Sequence, residues 1–204
     1  MTSQQPTDSA RQEQVLAVAL EVFGRYGFRK TSMDEVARSA DISRQGIYLY
    51  FASKEALFQA AVRQELDTAL AEASRCLDEE DVALEDRIVA ALDAWMGRFV
   101  GSTLASDIGN MLENSTMQLG DMATEASAAF EARLSSAIGK GTSQNDRRQR
   151  GVTSEEITGM LHAVGKGWRF QVDSRSEFVA KVTIAVRLVL AGLTSITKKP
   201  VQRK

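Results

Sequence analysis

The 204-residue chain is 44% hydrophobic and 25% charged, with a formal net charge of −2, a balance that excludes both a wholly disordered chain and a strongly basic polymer-binder. Its one cysteine, Cys76, excludes an intramolecular disulfide, and its one histidine, His162, leaves no Cys/His zinc site and only one residue on which a serine–histidine pairing could be built. The only prolines, Pro6 and Pro200, sit near the ends, so nothing interrupts helices across the interior.

The pattern is helical from end to end. In Arg11–Tyr26 the apolar residues Val15, Leu16, Ala19, Leu20, Val22 and Phe23 fall on one face, and Gly27 marks the stop. Ser32-x-x-Glu35 is a capping box that opens a short helix through Ala40. Asp41-Ile42 allows only a tight turn before Ser43 caps a third helix ending near Tyr50. Ser53 caps a fourth, predicted from Lys54 to about Leu77. Further helices are predicted over Leu84–Val100, Ser106–Leu119 and Met122–Ile138. Gly139–Gly151 has no apolar residue and reads as a loop. Thr153-x-x-Glu156 and Ser174-x-x-Glu177 are capping boxes for the last two helices, the second covering Phe178–Ile196. No stretch alternates with period two, so the expected class is all-α, with about nine helices.

Charge is unevenly placed along this chain. Residues 1–64 carry eight Lys/Arg against seven Asp/Glu, and residues 65–197 carry 13 against 20. Between Arg25 and Lys54 six basic residues face three acidic ones, a local field that attracts an anion.

Two short capped helices joined by a tight turn, residues 31–54, form a helix-turn-helix. In such a unit the second helix enters the DNA major groove with its N-terminal residues at the base edges. Here these are Ser43, Arg44, Gln45 and Gly46. Arginine pairs two-pronged with guanine and glutamine with adenine, while Gly46 lets backbone approach closely. Tyr48, Tyr50 and Lys54 are placed for phosphates, as are Thr31 and Ser32 at the start of the preceding helix.

At these residues the sequence resembles the tetracycline-repressor (TetR/AcrR) family of bacterial regulators. The resemblance rests on Ala-Leu-x-Val-Phe at 19–23, Tyr-Gly-Phe at 26–28, Thr-Ser at 31–32, Val-Ala at 36–37, Ile-Ser-x-x-Gly-Ile-Tyr-x-Tyr-Phe at 42–51 and Ser-Lys-Glu-Ala-Leu at 53–57. Thr31, Ser32, Arg44, Gln45, Tyr48, Tyr50 and Lys54 match the family's DNA-contacting positions. Two residues depart from its pattern: Asp41 stands where the turn usually has glycine, and Leu49 where a polar or aromatic residue is common.

The resemblance implies a division into an N-terminal stretch (1–8), a DNA-binding domain (9–55), a helical effector-binding and dimerisation domain (56–197) and a basic tail (198–204). It also implies a homodimeric transcriptional regulator on a near-palindromic double-stranded operator, a repressor released by a small molecule. The alternative is a DNA-binding dimer that is constitutive or controlled by another protein. The apolar set Trp95, Met96, Phe99, Met111, Met117, Phe130 and Trp168, with Asn114 as a polar handle, is the expected pocket for a largely apolar effector. Gly159, Ala163 and Gly167 form a small-residue stripe on the penultimate helix. With Val182, Val186, Val189 and Leu193 of the last helix it is the expected dimer seam.

No metal-ligand or nucleotide motif is present, so neither cofactor nor enzymatic activity is expected. Met1–Gln14 lacks the apolar core of a signal peptide, and Phe178–Ile196 carries Lys181 and Arg187. No membrane association is therefore expected, and the expected location is cytoplasmic.

Overall fold

A computed structural model describes residues 8–101 and 119–193, with side chains from Asp121 in the second stretch. The described residues form nine α-helices and one 3₁₀ turn, with no strand among them: α1 Asp8–Tyr26, α2 Met33–Ser39, α3 Arg44–Tyr50, α4 Lys54–Asp78, α5 Leu84–Trp95, the turn Gly97–Phe99, α6 Leu119–Gly141, α7 Gln144–Arg150, α8 Ser154–Arg169 and α9 Arg175–Leu193. The predicted helix over Ser106–Leu119 lies almost wholly outside the described residues. So do Met111, Asn114 and Met117, the N-terminal stretch to residue 7 and the basic tail.

Two compact units divide the chain, one holding the residues up to Ala71 and those up to Ser127 in α6, the other Glu72–Val100 and the chain from Ala128 onward. The first has a continuous apolar core. Val15, Ala19 and Phe23 of α1 meet Val36 and Ala37 of α2, Ile47 of α3, and Leu57, Phe58 and Ala61 of α4. Phe23 and Phe58 meet edge to face at 5.0 Å, and Phe28 lies 5.1 Å from Phe58. Such pairs add about 0.5–1.5 kcal/mol each to the burial itself.

The helix ends are set by local chemistry. Ser32 Oγ accepts from the Glu35 amide at 3.2 Å while the Glu35 carboxylate accepts from the Ser32 amide at 2.7 Å. The C-terminus of α2 closes with Ile42 N–H on Ala37 O (3.0 Å) and Asp41 N–H on Arg38 O (3.3 Å), around Asp41 at φ 52°. This is a Schellman closure, with an aspartate in the left-handed position glycine usually takes.

In the second unit, α9 lies against α5 and α8. Arg175 grips Asp93 with Nε at 2.8 Å and Nη2 at 2.9 Å, and Arg187 reaches Glu85 at 2.9 Å, so α9 is tied to α5 at two levels. The predicted helix over Leu84–Val100 stops at Trp95. Gly97 then turns the chain closely past α9: a Cβ there would overlap the Asp93 carboxylate and lie 3.0 Å from Phe178 Cδ1.

Gly139–Gly151, read from sequence as a loop, contains the helix α7. The absence of apolar residues conceals it, because local caps and not a buried face set the ends of this helix. Ser143 Oγ accepts from the Asp146 amide, and Gly151 closes the far end at φ 67°. Arg147 Nη1 donates to Thr142 O at 2.7 Å, covering a carbonyl past the end of α6.

The tightness at Gly97 yields the first prediction. Gly97→Ala must push Asp93 from Arg175 or shift α9, and it lowers unfolding free energy by about 1–3 kcal/mol in urea titration, the usual range for overpacking.

Candidate nucleic-acid interface

The helix α3 is seven residues long and buries one side chain fully, Ile47. That contact, with Phe51 behind it, fixes the rotation of the helix about its axis. Ser43 caps its start, accepting from the Gly46 amide at 2.9 Å. With Ile47 inward, Arg44, Gln45, Tyr48 and Leu49 lie together on the outer face and line a shallow open depression. Tyr48 is 45% exposed and Leu49 85%.

The remaining candidates divide into free and engaged groups. Thr31 is 2% exposed, and its hydroxyl donates to Gly27 O at 2.9 Å while its amide donates to the same oxygen at 3.2 Å. It braces the loop before α2 and presents no donor outward, a departure from the expected phosphate contact. Its methyl and hydroxyl fit a buried corner, which spacing alone does not disclose. The Tyr50 hydroxyl donates to Asp8 Oδ1 at 2.6 Å, and this carboxylate raises the phenol's pKa. Lys54 Nζ donates to Phe28 O and Thr31 O, each at 3.0 Å, and sits 4.4 Å above the Phe28 ring. An ammonium has three donors, so one remains for an outside acceptor. Ser32 stands exposed at its cap, and its amide and hydroxyl hold the Glu35 carboxyl below the usual carboxylate range.

Two neighbours of this surface were not singled out as contacts by sequence: Leu49, set aside as apolar, and Asp34, whose Oδ2 accepts from Arg44 Nη1 at 3.1 Å. The i+4 spacing from Gln45 is the signal that places Leu49 on the same face.

The predicted effector set lies in the second unit, as far as it is described. Trp95 and Phe130 are stacked at 5.1 Å and buried. Met96 is buried against α8 at Gly165, Phe99 is half-buried, and half-buried Trp168 carries Lys181 Nζ 4.8 Å over its ring. Beside the stack, 5.7 Å from Phe130, the buried His162 ring donates from Nδ1 to Glu131.

The predicted dimer seam is only half exposed. Gly159, Ala163 and Gly167 line open surface on α8. Val182, Val186 and Leu193 are buried in the unit's own core, and Val189 is half-buried. The outward apolar side chains of α9 are Ile184 (56% exposed) and Leu188 (68%), and Met160 of α8 is exposed as well. A helix apolar nearly all round does not reveal which side faces inward; the inward stripe follows Phe178 at i+4 and i+8.

Among the described residues no cluster of three or more His, Cys, Asp or Glu is placed to hold a metal ion, and no helix is long and apolar enough to cross a membrane.

Residues 15–61 match the family model for bacterial regulatory proteins of the tetR family. The N-terminal domain belongs to that family. In this tetR-type domain, the chain is similar to the HTH-type transcriptional regulator RutR of Escherichia coli K12, 41% identical over 63 residues, which are 31% of this chain and 30% of that one. The chain therefore matches less than a third of the length of this curated relative. Solved structures extend the likeness in fold to most of the chain. A TetR transcriptional regulator from Legionella pneumophila superposes at TM-score 0.70 with 16% identity, covering 92% of this chain and 100% of that one. FadR of Bacillus subtilis, solved in complex with stearoyl-CoA, superposes at TM-score 0.61 with 15% identity, covering 88% and 97%.

Burial pushes the His162 pKa down, and the Glu131 carboxylate opposes this only in part. The folded state then binds fewer protons at this residue than the unfolded chain. Stability from this source is full above the ordinary value of 6.5 and is lost as pH falls through the lowered one. Unfolding midpoints measured from pH 7.5 to pH 5 fall in the wild type, and His162→Gln flattens that part of the slope.

Proposed function

We propose that this protein is a DNA-binding transcriptional regulator that acts as a homodimer, a repressor released by a small molecule. The observation that carries the reading is the outer face of α3, where Arg44, Gln45, Tyr48 and Leu49 are presented together from a tetR-type domain. Arg44 and Gln45 supply two-pronged readers for guanine and adenine, and Leu49 an apolar surface for a thymine methyl. Ser43, Tyr48 and the third donor of Lys54 serve the phosphates, Ser32 and Tyr50 join them once their hydroxyls leave Glu35 and Asp8, and Gly46 keeps the backbone near the duplex. Thr31 contributes by holding the loop that aims them.

Two copies would pair through Gly159, Met160, Ala163 and Gly167 of α8 with Ile184 and Leu188 of α9. An exposed apolar stripe beside small residues favours close helix packing. Two-fold pairing accounts for a near-palindromic site with recognition helices about 34–36 Å apart. The stacked Trp95 and Phe130, with Met96, Phe99 and Trp168 of the same unit, are the proposed wall of an apolar effector site. His162 and Glu131 add a polar edge. A ligand there would release DNA only to the extent that it binds the DNA-free form more tightly. A cytoplasmic location belongs to the same proposal.

Selection of binding sites from random duplexes tests the reading: it yields a near-palindromic consensus whose binding weakens steeply with salt. Arg44→Ala costs about 1–3 kcal/mol on that consensus and relaxes the base preference at one position per half-site. Retention of wild-type selectivity would remove Arg44 from the reading. For the dimer, Ile184→Glu with Leu188→Glu gives a monomer by light scattering at micromolar concentration while the helical circular dichroism is kept.

A further inference from the structure

The Arg44 guanidinium is held from a neighbouring helix. Its Nη1 donates to Asp34 Oδ2 at 3.1 Å, from the first turn of α3 to the first turn of α2. The two side chains are 71% and 46% exposed, and an ion pair so open to water adds little to stability. Position in the first turn of α2 favours a carboxylate through the helix dipole, but that accounts for the acid and not for its reach to Arg44. Arg38, one turn along, folds its Nε back onto the Asp34 carbonyl at 3.3 Å. The pair therefore stands at the rim of the groove between α2 and α3 that Ala37, Arg38 and Ile42 complete.

We infer that Asp34 is a positioning residue for base reading: it fixes the fork of Arg44, and with it the base that this arginine selects. The inference rests on the DNA-reading function proposed above. A guanidinium is planar and has five donors. With Nη1 on the carboxylate, donors along the other edges stay free for guanine O6 and N7, in a plane set before the duplex arrives. An unheld arginine must lose its rotamer freedom on contact, and it accepts other base edges and phosphates as readily. Asp34 has a second effect of opposite sign, since its charge repels the phosphates of any duplex equally. It exchanges general affinity for selectivity.

The test uses the full chain and the consensus duplex selected from random sequence, with single-base variants of it and a scrambled control. Arg44→Ala identifies the base pair that Arg44 reads. Asp34→Ala then lowers discrimination at that base pair about three- to tenfold, a part of what a two-pronged contact is worth. It raises affinity for the scrambled duplex and steepens the salt dependence by about one counterion. Asp34→Asn, which keeps an acceptor oxygen, retains more discrimination than Asp34→Ala. The double variant Asp34→Ala/Arg44→Ala discriminates no worse than Arg44→Ala alone, since the two act as one unit. A merely structural role would shift the unfolding midpoint and weaken all duplexes together.

Unchanged discrimination in Asp34→Ala, even with higher affinity throughout, would overturn the positioning role and leave the DNA-reading function standing. Independent losses in the double variant would do the same. Failure of the wild type to select any consensus would overturn the DNA-reading function itself, and this inference with it.

Discussion

The direction of α3 depends on the backbone at Asp41. With that residue left-handed, α2 ends after Ser39 and the chain reverses so that Ile42 N–H reaches Ala37 O. The reversal brings Ile42 and Ile47 onto Val36 and Ala37. Once Ile47 is inside, the pitch of the helix leaves positions 44, 45, 48 and 49 no place but outside. An ordinary side chain in the left-handed region pays about 1–2 kcal/mol. Aspartate lowers that figure because its short polar group bonds locally. A seven-residue helix has no stability of its own, so α3 exists only while this turn and the core beneath it hold.

Around that turn, the polar residues of the domain divide by what they bond. Thr31, Tyr50 and Lys54 bond within the chain and hold the loop before α2 and the start of α1 in place. Lys54 lies against the aromatic group of Phe23, Phe28 and Phe58, where a cation over a ring is favourable and its methylene stem is covered. Arg44, Gln45, Tyr48 and Leu49 keep their surfaces open. The fixed set sets the angle at which the open set is offered. A residue can therefore occupy a family contact position and still act mainly on the scaffold.

How much of this was legible in the sequence differs by element. The helix-turn-helix was readable because caps and turn are local: Ser32, Glu35, Asp41 and Ser43 each bond within a few residues of themselves. The inward face of α9 was not, because Val182, Ile184, Val186 and Leu188 are alike in polarity and only tertiary packing against α5 and α8 decides between them. The end of α5 at Trp95 was hidden for a similar reason, since the close pass of Gly97 by Phe178 is a long-range fact. The hydroxyl of Thr31 was misassigned because a motif position specifies where a residue stands, and not which way its donor turns. Conversely, the salt link from Asp34 to Arg44 spans ten residues, beyond any helical spacing rule.

The helix α7 buries no side chain, and its seven residues fall short of the roughly 12–15 that an isolated helix needs to persist in water. Among what holds it are one serine at its start, one glycine at its end and the guanidinium of Arg147 on the neighbouring turn. Opening it exposes almost no apolar area, so its free energy of opening is far below that of the whole unit. Its amide hydrogens therefore exchange with solvent on a clock of their own, while those of α9, pinned by Phe178, Val182 and Val186, wait for the core to come apart.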